Sequence, residues 1–243
     1  MSKNLAAVFG KLFTSGFNSG EQGEIIERPA RINDENFIYQ IYVPQQIKKS
    51  GARLPIICFL HGIRERGRNG YISGMFAQIV RQYLKQVPAI VLFPQCRPEN
   101  YWSEPVMDEM VMLSIKQTAE EFNADSLRLY LIGVSMGGYG VWHYASQYPQ
   151  KFAALVSICG GSPIISGERF SSIAEKIGQT PAWLFHGVED RIVPVSESRG
   201  IFKALQANKG NVKYNEYEAV GHNVWLNALG EKQLLPWLLA QNR

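Results

Sequence analysis

Cysteine is scarce in this chain: Cys58, Cys96 and Cys159 are the only three in 243 residues. The count is odd, and two of the three sit inside apolar runs that read as central strands. That argues against a disulfide framework or a cysteine-built metal site, and for buried free thiols in a reducing compartment. No run of about 18 apolar residues occurs, so no membrane span is expected. The apolar patch from Leu5 to Val8 lacks a continuous hydrophobic region and a cleavage site, so no signal peptide is read and the cytoplasm is the default location. Charge of one sign is not in excess either: 25 Lys and Arg against 21 Asp and Glu leave a net +4. The charges are scattered along the chain, which excludes the basic stripe of a nucleic-acid binder. Neither G-x-x-x-x-G-K-[ST] nor G-x-G-x-x-G follows any apolar run, so a nucleotide site is not expected.

What is present is a large apolar fraction, 46%, enough to bury a sizeable core, in a length that fits one α/β domain. Residues 1–22, rich in Gly, Ser and Asn, read as a loosely ordered arm, and 23–243 as a single domain. Glu24 to Arg31 and Asn36 to Val43 alternate apolar and polar residues around Ile32-Asn-Asp-Glu35, a hairpin signature. Leu54 to Leu60, Ala89 to Phe93 and Leu127 to Ile132 are continuous apolar runs, as expected of strands covered on both faces. Ala153 to Cys159, Ala182 to Phe185 and Val212 to Tyr217 read as three more. Helical periods fall between them: 71–86, a helix capped by Ser103 and opened by Pro105, then 170–177, 195–207 and 231–240. About eight strands alternating with helices predict a mostly parallel sheet with helices on both faces, its ligand site at the carboxyl ends of the strands.

One of those strand ends carries the sequence Gly133-Val-Ser-Met-Gly137, followed by Gly138 and a helical segment. In a strand-to-helix turn this sharp, side chains two residues either side of the serine would collide with each other or with the neighbouring strand. Glycines there lift the hydroxyl of Ser135 clear of the sheet edge. The free N–H groups of the helix start favour a negative charge developing at the same spot.

A serine hydroxyl needs a base to act as a nucleophile. Four histidines are available. His143 lies two turns into the following helix, and His61 and His186 each follow a strand and precede a glycine, where they hold loops by hydrogen bonding. His222, in the loop between the last strand and the last helix, can reach the serine. A carboxylate is then needed to fix its tautomer. Asp190, in the loop after Ala182 to Phe185, is placed for that, with Glu189 the adjacent rival. Two donors must hold an oxyanion: the backbone N–H of Met136, and one from the His61-Gly-Ile-Arg64 loop, Ile63 first and Arg64 second. Trp102 and Trp225 are candidates for the mouth of the site. The charged loop Arg64-Glu-Arg-Gly-Arg68 reads as solvated, and the short insertion 160–180 leaves the site open.

The set Leu60-His-Gly-Ile-Arg-Glu-Arg-Gly67, Gly-Val-Ser-Met-Gly-Gly, His-Gly-x-x-Asp-x-x-Val-Pro and Gly-His-Asn-x-Trp resembles the α/β-hydrolase superfamily. More narrowly it is similar to its phospholipase/carboxylesterase, polyhydroxybutyrate depolymerase-like and predicted-peptidase groups, over roughly Leu54 to Trp237. The resemblance implies an α/β-hydrolase fold and a serine esterase acting on a small-molecule ester, with Ser135, Asp190 and His222 as triad and no metal or organic cofactor. It leaves a peptidase, a thioesterase and a non-catalytic binding protein of the same fold as rivals. Where many relatives carry a small residue after His-Gly, this chain has Ile63 and Arg64.

Overall fold

A computed structural model describes residues 23–44, 53–71, 87–163 and 168–243. The arm 1–22, the helix read over 71–86 except Tyr71, and part of the 160–180 insertion lie outside the described residues. Strands β1 (Glu24–Ile32) and β2 (Glu35–Val43) form an antiparallel hairpin in which Ile32 pairs with Glu35. Only Asn33 and Asp34 lie between them, with φ of 47° and 65°. Two left-handed residues give the turn whose twist matches that of its strands, and Asn and Asp tolerate it best after glycine.

The remaining strands are β3 (Ile56–Leu60), β4 (Ile90–Phe93), β5 (Leu129–Val134), β6 (Ala154–Ile158), β7 (Ala182–Gly187) and β8 (Val212–Tyr217). Among the described residues these eight strands join one sheet in the order β1-β2-β4-β3-β5-β6-β7-β8. The pairings from β4 to β8 are parallel, and β2 meets β4 antiparallel. Only β1 of the hairpin is an edge strand.

Strands β3 to β7 are buried at every residue, so their two faces feed two cores. On one face Cys58, Leu60, Leu92, Leu131, Leu155 and Leu184 pack against helices α1 (Pro105–Glu121), α2 (Met136–Gln147), α3 (Arg169–Ile177) and α4 (Ser196–Ala207). On the other, Phe59, Phe93, Ile132, Val156 and Phe185 pack against α5 (Trp225–Leu229) and α6 (Leu234–Leu239). Helices therefore cover both faces, as the alternation of apolar runs and helical periods implied.

Two helix boundaries depart from expectation. Glu104, not Ser103, occupies the N-cap of α1, and its carboxylate turns back to accept the N–H of Tyr101 at 3.0 Å and the amide of Asn100 at 2.5 Å. The span 231–240 is helical only from Leu234. Ahead of it the side chain of Glu231 accepts the Gln233 N–H at 3.1 Å, a local bond that competes with helix, and Gly230 separates this turn from α5.

After β3 the chain builds β4 on one side of it, then crosses to build β5 on the other. The carboxyl ends of β3 and β5 thus flank the point where strand order reverses, which opens a crevice for ligand in sheets of this kind.

Candidate active site

Ser135 stands between the end of β5 and the first turn of α2 with φ 55° and ψ −119°, a conformation an L-residue adopts only under constraint. The constraint is the close passage of α2 over the sheet. A methyl on Gly133 would lie 2.1 Å from the carbonyl oxygen of Gly137, and one on Gly137 would lie 2.0 Å from that of Leu60 in β3. Both collisions foreseen from the sequence, within the turn and with the neighbouring strand, are present. The Ser135 N–H bonds the carbonyl of Ile158 at 2.9 Å, tying the turn to the end of β6.

The strand ends bring the other candidates to it. Asp190, after β7, has a side chain with no exposure; His222, after β8, keeps 24%. Asp190 Oδ1 accepts the backbone N–H groups of Ile192 and Val193, both at 2.9 Å. Its Oδ2 accepts the Nδ1–H of His222 at 2.7 Å. That bond fixes the tautomer and leaves Nε2 as an acceptor, 2.9 Å from Ser135 Oγ. Glu189, the rival, is exposed, and it is Asp190 that bonds the imidazole; the Glu189 N–H bonds the carbonyl of Val220 at 2.9 Å. With the Val188 N–H on the Tyr217 carbonyl at 3.0 Å, that bond fastens the loop carrying Asp190 to the loop carrying His222.

The turn after β3 is a 3-10 element, Ile63–Glu65, with Gly62 at its N-cap. Buried His61 holds it. Nε2 accepts the N–H of Cys96 at 3.0 Å, so Nδ1 carries the proton and donates to the carbonyl of Gly62 at 2.7 Å. In a trans peptide the C=O and N–H point opposite ways, so fixing the carbonyl of Gly62 also aims the N–H of Ile63. Burial pushes the His61 imidazole down to about 4, which keeps it neutral. Ile63 is 43% exposed, and Arg64 is exposed beside it. Met136, on the other side, opens α2, where the first N–H groups have no partner within the helix.

Trp102 departs from expectation. It is buried, its indole N–H donates to the carbonyl of His61 at 3.0 Å, and its ring meets that of His61 at 4.9 Å between centroids. It supports the turn from beneath and does not reach the mouth. Trp225 begins α5 three residues beyond His222, half-buried against the second core. His186 holds its loop as expected, bonding Ser198 Oγ at 2.7 Å and the Val193 carbonyl at 2.9 Å. His143 packs between Asp108 and Tyr144.

The place of Cys159 was not evident from the sequence. It directly follows β6, between the strands that carry Ser135 and Asp190, and that adjacency was the available signal. Its Sγ contacts the carbonyl of His222 at 3.7 Å, and its thiol, an Asp190 oxygen and a His222 nitrogen all lie within 4.8 Å of one another. These are donors a soft metal ion accepts. Here both oxygens of Asp190 already accept protein N–H groups, so an ion would have to displace them. Burial also raises the Cys159 thiol far above its ordinary value, against the thiolate a metal needs.

A parallel sheet reversing order at a strained serine, with a histidine and a carboxylate on later strand ends, defines the α/β-hydrolase fold. Comparison with known proteins narrows the class. The phospholipase/carboxylesterase family matches residues 104–233, more than half of the chain, and the chain belongs to that family. A thermostable esterase of known structure is 30% identical, with a TM-score of 0.76 over 90% of this chain and 63% of the other. A ferulic acid esterase shares the fold at 14% identity, TM-score 0.71, over 90% and 98% of the two chains. A bifunctional acetylxylan esterase/xylanase from Neocallimastix patriciarum is 28% identical over 107 residues. That match covers 43% of this chain and only 13% of the far longer relative.

Proposed function

We propose that the chain is a serine hydrolase that cleaves carboxylic esters of small to medium-sized molecules through an acyl-enzyme. The observation that carries the reading is the unbroken relay from Asp190 to His222 to Ser135, at 2.7 and 2.9 Å. His222 Nε2 takes the proton as Ser135 Oγ bonds to the ester carbonyl carbon. The N–H groups of Met136 and Ile63 receive the oxyanion, with Arg64 the reserve donor. As the intermediate collapses, the bond from carbon to the alkoxy oxygen breaks and His222 returns the proton to the departing alcohol. Water, deprotonated by the same imidazole, then releases the acid and restores the serine. The esterases among the relatives support an ester as substrate over an amide, and three buried, unpaired cysteines suit a cytoplasmic site of action.

The test is turnover of 4-nitrophenyl acetate by wild type and by Ser135→Ala. The variant is expected to lose a factor of about 10⁴ or more in kcat. Activity retained within about tenfold would contradict the assignment.

A further inference from the structure

Glu65 ends the 3-10 turn after β3, half-buried, with no ion pair among the described residues. Burial raises its pKa, while the backbone N–H groups of Glu65 and Gly62 and the Arg64 charge pull the other way. Half-burial of a carboxylate carries a desolvation cost, which those N–H groups and the Arg64 charge offset only in part, and nothing in the proton relay uses it.

Its position in the turn gives it a use. Gly62 is the N-cap and Glu65 the third residue after it. A glutamate there can reach back to the N-cap N–H, as in a capping box. The side chain does turn back: a methyl on Gly62 would lie 3.1 Å from Glu65 Oε2 and 3.7 Å from Ser135 Cβ. The carboxylate and the nucleophile therefore flank the same glycine. Gly62 has ordinary backbone angles, φ −77° and ψ 178°, and no side chain of its own to hold them against rotation. His61 secures its carbonyl from one side. The Glu65 N–H also reaches that carbonyl, at 3.4 Å, which leaves the Gly62 N–H as the other end at which the peptide can be held.

We propose that Glu65 is a positioning residue for the oxyanion donor: its carboxylate, turned back on the N–H of Gly62, locks the turn so that the N–H of Ile63 faces Ser135. The inference rests on the acyl-enzyme reading. The useful property is an acceptor at the right reach, not the charge, because a negative charge beside a developing oxyanion opposes it. Glutamine keeps the acceptor and the reach; aspartate keeps the charge and loses a methylene; alanine loses both.

The experiment measures kcat and KM for 4-nitrophenyl acetate, and the inhibition constant of a trifluoromethyl ketone that forms an oxyanion on the serine. Wild type, Glu65→Gln, Glu65→Asp and Glu65→Ala are compared, each with its melting temperature. Alanine and aspartate are expected to lose about tenfold or more in kcat, a fraction of what deleting an oxyanion donor costs, with KM little changed and ketone affinity weakened in step. Glutamine is expected to match or exceed wild type. Alanine matching wild type, glutamine failing as alanine does, or kcat falling without loss of ketone affinity would each overturn the proposal. If the alanine variant does not fold, the contrast between glutamine and aspartate decides on the same criteria. Failure of the acyl-enzyme reading is separately visible, as wild type that neither turns over the ester nor is labelled at Ser135 by a fluorophosphonate.

Discussion

Asp190 gives the sharpest test at the scale of one residue, because each of its oxygens has its own donors. Two backbone N–H groups claim Oδ1 and the His222 imidazole claims Oδ2, with His186 Nε2 farther off at 3.4 Å. In Asp190→Asn the amide oxygen must therefore stay with the backbone, and the NH₂ group is forced toward His222. The imidazole then has to accept at Nδ1 and carry its proton on Nε2, where it can no longer take one from Ser135. A kcat loss of about 10⁴ with an unchanged melting temperature is expected, and a loss under tenfold would mean the relay is not used. That Ser135, Asp190 and His222 would meet was readable because all three follow strands of a parallel sheet, whose carboxyl ends gather along one rim. Glu65 and Cys159 were not, because their place depends on how neighbouring strand ends align in space. Trp102 misled because an aromatic after a strand looks the same in sequence whether it faces solvent or lies beneath a turn.

The element that sets the site is the β5 to α2 turn, and its cost is steric. Gly137→Ala places a methyl 2.0 Å from a backbone oxygen of β3, and neither partner can swing away as a side chain could. Gly178, past the end of α3, is a control: it has φ 55°, yet a methyl there meets nothing within 4 Å. Gly178→Ala is expected to cost about 1–3 kcal/mol in urea unfolding, the backbone strain of a positive-φ residue alone. Gly137→Ala is expected to cost several times more or to abolish soluble protein. Equal effects of the two substitutions would show that α2 does not press on β3 as described. Strands and the hairpin turn were legible in the sequence because period and turn residues are local signals. The caps of α1 and α6 were less so. There the choice between adjacent residues was made by side-chain bonds of Glu104 and Glu231 that no periodicity records.

For the molecule as a whole, the folded state constrains its own pH range. His61 is buried at the end of a central strand, and burial lowers its pKa to about 4 from an ordinary 6.5; His186 is lowered in the same direction and for the same first reason. Below pH 6.5 the unfolded chain takes up protons that the folded protein refuses. Stability therefore falls with pH, and the loss from His61 levels off near pH 4. That loss amounts to roughly 3 kcal/mol from this one group. Urea unfolding at pH 7 and at pH 4.5 should show the decline, and equal stability at the two values would contradict the buried, neutral imidazole beneath the turn.

The central claim, that one relay on the strand ends of this sheet activates one serine, is tested most directly by covalent labelling. Wild type, Asp190→Asn and His222→Ala are treated with a fluorophosphonate probe, digested and mapped by mass spectrometry. The account predicts a single adduct on Ser135, formed rapidly in wild type and at least about 10³-fold more slowly in both variants. An adduct on another residue, or equal labelling rates in all three proteins, would contradict it.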